Sequence, residues 1–92
     1  MFRLWAKEWQ SGHLIREMTI EDPGEDTRTH KVLHAVTEVC REFDLPEPIW
    51  LAPNIKEFQR RAKCRFGKDN FVEELPFDYL EIEIVEEDPW FV

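Results

Sequence analysis

Glycine and serine are scarce in this chain, with three Gly and a single Ser in 92 residues. Three scattered glycines cannot build the Gly-rich loop whose backbone N–H groups cradle phosphate, so that class of nucleotide site is excluded. Ser11 stands alone with His13 two residues away in a turn, which supplies no assembled nucleophile, base and orienting acid. Two cysteines make no disulfide framework. No apolar run approaches the length that spans a bilayer. The opening MFRLWAKEW carries Lys7 and Glu8 without a continuous apolar stretch, so it does not read as a signal peptide, and a cytoplasmic, soluble protein is expected.

Positive charge is also short. Twelve Lys and Arg face twenty Asp and Glu, for a net charge of −8. So acidic a chain repels polyphosphate at long range, which argues against nucleic-acid binding by the whole surface. The paired acids Glu21-Asp22 and Glu25-Asp26 flank Pro-Gly without the ligand spacing of a calcium loop.

What the chain has is a folding composition. It is 42% hydrophobic and 13% aromatic, with four Trp and seven Phe, enough to build one small core. A single α+β domain over residues 1–92 is expected. Residues 2–9 alternate with Phe2, Leu4 and Ala6 on one face and Arg3, Trp5, Lys7 and Trp9 on the other. A turn at residues 10–13 leads into a second alternating run, Leu14 to Glu21, so the two read as a β-hairpin.

The stretch TRTHKVLHAVTEVCREF, residues 27–43, is the longest helical pattern. Asp26 or Thr27 is placed to cap it, and Val32, Leu33, Val36, Val39, Cys40 and Phe43 form its apolar stripe. Leu45-Pro46 and Pro48 are expected to stop it. Ile49-Trp50-Leu51 reads as a buried connector. A second helix is expected from Asn54, with Glu57 completing a capping box, through Ile55, Phe58, Ala62 and Phe66 to Gly67. Residues 77–86 then give the cleanest strand, Leu80, Ile82 and Ile84 facing inward. The order ββααβ predicts two layers, a three-stranded, mostly antiparallel sheet carrying both helices on one face.

Four features are candidates for function. His30, His34 and Glu38 recur every four residues, a spacing that can present ligands to a metal, but His34 lies opposite the apolar stripe and one helix face cannot close a metal shell. A solvated face is expected there, and His13 reads as a turn residue. Cys40 falls in the core stripe. Cys64 is expected to be exposed beside Arg60, Arg61, Lys63 and Arg65, which favour the thiolate, although no oriented base is evident.

Charge is unevenly placed. Lys56, Arg60, Arg61, Lys63, Arg65 and Lys68 face only Glu57 over residues 56–68, whereas residues 69–92 hold nine acids and no base. That run is either a basic helix for phosphate or nucleic acid, or the partner of the acidic strand; mutual neutralisation is the favoured reading. Finally, Trp5 and Trp9 with Ile15, Tyr79 and Val85 predict an apolar patch on the sheet face away from the helices. A second subunit, a partner or the tail Trp90-Phe91 is expected to cover it.

The chain resembles a group of short, uncharacterised bacterial proteins, chiefly of Firmicutes. The likeness rests on Arg3-Leu4-Trp5 and Lys7, His13-Leu14-Ile15-Arg16, Thr27 through Val32, Pro48-Ile49-Trp50-Leu51, and Phe77 through Ile82. It implies a self-contained domain and no particular activity. The expectation is therefore a non-catalytic protein–protein interaction or regulatory domain, self-associating or binding a partner through the Trp5/Trp9 face. Phosphate or nucleic-acid contact through the basic run is the alternative; an acidic DNA mimic, or a small metal or enzyme site, ranks last. No cofactor and no membrane partner are expected.

Overall fold

The chain turns for the first time at Ser11 and Gly12, both with positive φ (51° and 77°), the backbone of a two-residue hairpin turn that matches strand twist. It joins β1 (Phe2–Gln10) to β2 (His13–Asp22). A computed structural model describes residues 1–87; Asp88 to Val92, with the expected cover by Trp90 and Phe91, lie outside the described residues. After the hairpin come α1 (Arg28–Glu42), α2 (Ala52–Arg61), β3 (Lys63–Phe66), a short 3₁₀ turn at Lys68–Asn70, and β4 (Tyr79–Glu86).

Among the described residues the sheet has four strands in the order β2-β1-β4-β3, all antiparallel. The α+β class stands, but the three-stranded sheet and the order ββααβ do not: the described order is ββααββ. The extra strand comes from the end of the expected second helix. Ala62 takes a left-handed conformation (φ 56°) and closes α2 with its N–H on the Phe58 carbonyl. Lys63 to Phe66 then pair with β4. Phe58, Ala62 and Phe66 do repeat at helical spacing, but Cys64 and Phe66 also alternate with Lys63 and Arg65. Edge pairing buries Cys64 and Phe66 and sets Lys63 opposite Glu83 and Arg65 opposite Glu81. Packing overrides local propensity in so short a segment.

Helix α1 begins where expected, with the Thr27 hydroxyl accepting from the His30 N–H at 3.2 Å. It ends before its prolines. Asp44 is left-handed (φ 55°). The Leu45 N–H reaches the Cys40 carbonyl at 2.8 Å and the Asp44 N–H reaches that of Arg41 at 3.3 Å, a Schellman closure. Its buried face is Lys31, Val32, Ala35, Val36, Val39 and Cys40; Leu33, expected inside, is 44% exposed.

Lys31 is fully buried and donates to the carbonyls of Asp22 and Gly24, which clips the polar loop to the helix that follows it. At the other end of α1, Arg16 grips both oxygens of buried Glu8 at 2.9 Å and donates to the Phe43 carbonyl at 3.0 Å. That clamp ties the hairpin to the helix C-terminus, where cations are favoured.

At α2, Leu51 is the cap residue. Asn54 lies in the first turn and accepts from the Leu51 N–H at 3.1 Å, so the expected Asn54–Glu57 box is not formed. Asn70 completes a polar knot: it donates to Asn54 Oδ1 (2.6 Å) and the Ile49 carbonyl (2.9 Å) and accepts from the Gly67 N–H (3.0 Å). In the connector, Trp50 packs edge-on to Phe58 and Phe66, whereas Ile49 and Leu51 are exposed rather than buried. The core between sheet and helices runs from Phe2, Leu4 and Ala6 through Val36 and Val39 to Phe66, Leu80 and Ile82.

Candidate functional site

The sheet face away from the helices was expected to be apolar. Its strands instead line up charges across the sheet. One row reads Glu17, Lys7, Glu81, Arg65 from β2 to β3, and the next reads Thr19, Trp5, Glu83, Lys63. Lys7 is only 6% exposed and bonds Glu83 at 3.1 Å and Glu81 at 3.2 Å. Glu81, 7% exposed, also accepts from Trp9 Nε1 at 3.1 Å and Arg65 Nε at 3.4 Å. Burial alone would raise the Glu81 carboxyl; the hydrogen bonds and charge of Lys7, with Trp9 and Arg65, outweigh it and hold the group below its ordinary value.

The aromatic rings are woven into this lattice. Lys7 sits 3.8 Å from the Trp5 ring centre and Arg65 lies 4.6 Å from that of Tyr79. Trp5 Nε1 donates to Glu17 at 3.0 Å. Trp5, Trp9 and Tyr79 are half-buried. The remaining two expected patch residues stand apart: Ile15 falls at a register shift near the hairpin turn, where Leu14 rather than Ile15 faces Trp9, and Val85 falls at another near Arg3. The five residues therefore share a sheet but not a continuous apolar surface.

The basic run is divided among three elements. Lys56, Arg60 and Arg61 lie on α2, Lys63 and Arg65 on β3, and Lys68 on the 3₁₀ turn. Arg65 is committed to Glu81, and Arg61 leans toward Glu57 at 4.0 Å. Lys56, Arg60 and Arg61 share a shallow groove with Pro53 and Glu57.

Cys64 is 1% exposed, not exposed as expected. Its alternation on β3 turns it into the core, where burial pushes the thiol up to about 12. Cys40, also buried, is pushed up to about 11 for the same reason. Neither is a ready nucleophile.

On α1 the His30 and His34 rings stack at 6.5 Å on the exposed face. His30 Nδ1 is bound to Asp26 at 2.9 Å, and Glu38 pairs with Arg41. His13 opens β2 opposite Gln10. Among the described residues, no three His, Cys, Asp or Glu side chains are grouped to hold a metal. Among the same residues, no helix is long and apolar enough to cross a membrane.

A cleft of about 430 Å³ lies between α1 and α2. Val32, Leu33, Trp50, Ile55 and Phe58 give it an apolar wall; Arg28, Thr29 and Gln59 stand at its margin. Leu33 and Ile55 are 44% and 42% exposed, although both stood in expected core stripes. Each helix buries only part of its stripe, Val32 on α1 and Phe58 on α2 lying inside while Leu33 and Ile55 do not. Arg28 lies 5.5 Å from the Phe58 ring and bonds Glu87 at 2.7 Å.

Sequence reasoning missed this cleft. The available signal was width: Leu33 is about 100° around the helix from Val32, so one of the two sits at the stripe's edge. No protein-family model, curated protein or solved structure matches the chain.

Proposed function

We propose that this is a non-catalytic protein–protein interaction domain of the cytoplasm, working through the α1–α2 cleft. One observation carries the reading: Leu33 and Ile55 present apolar surface to solvent at the mouth of a cleft whose floor is Val32, Trp50 and Phe58. Partner-binding surfaces combine such an apolar centre with a polar rim, here Arg28, Thr29 and Gln59. The Trp5/Trp9 sheet face supports the reading less well. Its Lys7, Glu81 and Glu83 are already paired, and covering them removes the remaining solvent from ion pairs that gain little in return.

The test is capture by the tagged protein from its own cells, compared among variants. Leu33→Lys/Ile55→Lys is expected to lose the captured protein, and Trp5→Ala to keep it. Loss with Trp5→Ala alone moves the interface to the sheet.

A second reading, phosphate contact, is favoured by the gathering of Lys56, Arg60 and Arg61 around one groove. Heparin binding at low salt that disappears in Arg60→Glu/Arg61→Glu supports it; no retention at low salt removes it.

A further inference from the structure

We propose that the partner of the α1–α2 cleft is an amphipathic α-helix of another protein, with acidic residues along the flank that faces α2. The inference rests on the reading of this cleft as a docking surface and names the chemistry of what docks there.

The backbone around the cleft decides the partner's conformation. Both walls are helices, Arg28–Glu42 and Ala52–Arg61. Away from their ends, their N–H and C=O groups are bonded within their own turns. An extended segment entering between them finds no strand edge to pair with, and its own backbone groups lose water without gaining partners. A helix satisfies its backbone internally and asks only for apolar contact. The cleft supplies it: Leu33 on α1 and Ile55 on α2, 44% and 42% exposed, stand above Val32, Trp50 and Phe58. Walls so exposed leave the trough open to solvent, which suits a helix laid into it. A small ligand is held where most of its surface is enclosed.

Charge decides the partner's flank. The chain carries −8 overall, so most of its surface repels an acidic helix. The rim along α2 is the exception. Exposed Lys56 follows the wall residue Ile55, about 100° around the helix, and is the first charge beyond that wall. Arg60, about 140° from Ile55, adds to the field from α2's outer side without lining the cleft. Among the described residues neither cation pairs with a carboxylate; Glu57, which shares their groove, leans toward Arg61. Arg28, at the margin, is already bound to Glu87. On the α1 side, His30 and Thr37 neighbour Leu33 at helical spacing and are engaged by the acids Asp26 and Glu47. A partner's carboxylates are therefore favoured toward α2.

The test titrates the full-length, ¹⁵N-labelled protein at low salt with synthetic stapled helices of about 15 residues, long enough to stay helical. The first carries leucines at helical spacing on one face, glutamates along one flank and alanine elsewhere. Its twins replace every Glu by Lys, every Leu by Ala, or a central Ala by Pro with the staple omitted. The Glu helix is expected to shift the amide resonances of Val32, Leu33, Ile55, Phe58 and Gln59 saturably and to leave those of Trp5 and Glu83 in place. It should bind about tenfold more tightly than its Lys twin, by a margin that narrows at high salt. Lys56→Gln/Arg60→Gln should weaken the Glu helix and not the Lys twin. The Ala and Pro twins should leave the cleft resonances unmoved.

Equal affinity for the Glu and Lys helices overturns the inference while keeping the cleft as a docking surface. Equal affinity for the Pro twin does the same. No shift at the cleft with any peptide also overturns it, and capture by Leu33→Lys/Ile55→Lys then judges the docking reading separately: lost capture keeps that reading, retained capture removes it. Cleft resonances that move on dilution of the protein alone assign the cleft to a second copy and overturn the inference as well.

Discussion

Glu81→Gln tests whether the outer sheet face is held together by its charges. The carboxylate accepts from Lys7, Trp9 and Arg65 at 3.2, 3.1 and 3.4 Å while 7% exposed. Glutamine keeps the volume and one acceptor oxygen, which Trp9 can use, but its amide group donates toward Arg65 and it brings no charge to Lys7. Removing one member of a buried ion pair costs about 3–5 kcal/mol when the other is left uncompensated. Lys7 is not left so, because Glu83 remains at 3.1 Å. Hydrogen bonds to charged groups contribute about 1.5–3 kcal/mol, so the expected loss is about 2 kcal/mol.

In a domain of this size that loss lowers Tm by roughly 8–16 °C, and urea unfolding should show it as a lower midpoint at unchanged slope. Its pH dependence follows from the depressed carboxyl. A group held below its ordinary value of 4.5 in the folded state stabilises the fold above that value and loses the contribution as pH falls through the folded value. The gap between wild type and Glu81→Gln should be flat from about pH 8 to pH 6 and close as pH drops below the ordinary carboxyl range. A gap that is absent at pH 7, or constant down to full protonation, refutes the lattice as a source of stability.

Other outcomes follow from the same structure. Cys40 and Cys64, buried with thiols raised to about 11 and 12, should react with a disulfide reagent only as fast as the protein unfolds; rapid labelling of Cys64 in the folded state contradicts its place on β3. Asn70→Ala should cost about 2–3 kcal/mol in chemical denaturation, because the knot loses an acceptor and two donated bonds; Asn70→Asp should do no better, since a carboxylate cannot donate to Asn54 or Ile49. Trp5→Ala should leave the mass by light scattering unchanged at every concentration. A wild-type dimer that the substitution dissolves returns the interface to the sheet face.

Periodicity made much of this fold legible. The alternation of Phe2, Leu4 and Ala6 and of Leu80, Ile82 and Ile84 marks the buried face of β1 and β4, and Thr27 marks the start of α1. Lys63 to Phe66 was misread because four residues satisfy both periods, and only a neighbouring acidic strand decides between them. The same fact answers the uneven charge: two of the six basic residues face Glu81 and Glu83 across the ladder. Asp44 stops α1 before the prolines do, a left-handed position that residue type only weakly announces. The cleft was illegible for a different reason. Whether Leu33 and Ile55 are core or surface depends on how far apart the two helices sit, and no local pattern encodes that spacing.

The central claim is that the α1–α2 cleft is the surface through which this protein works. Photocrosslinking in its own cells, with benzoylphenylalanine placed in turn at positions 33, 5 and 60, tests it most directly. The account predicts a discrete crosslinked partner from position 33 and none from positions 5 or 60. A product from position 5 or 60, with position 33 silent, would contradict it.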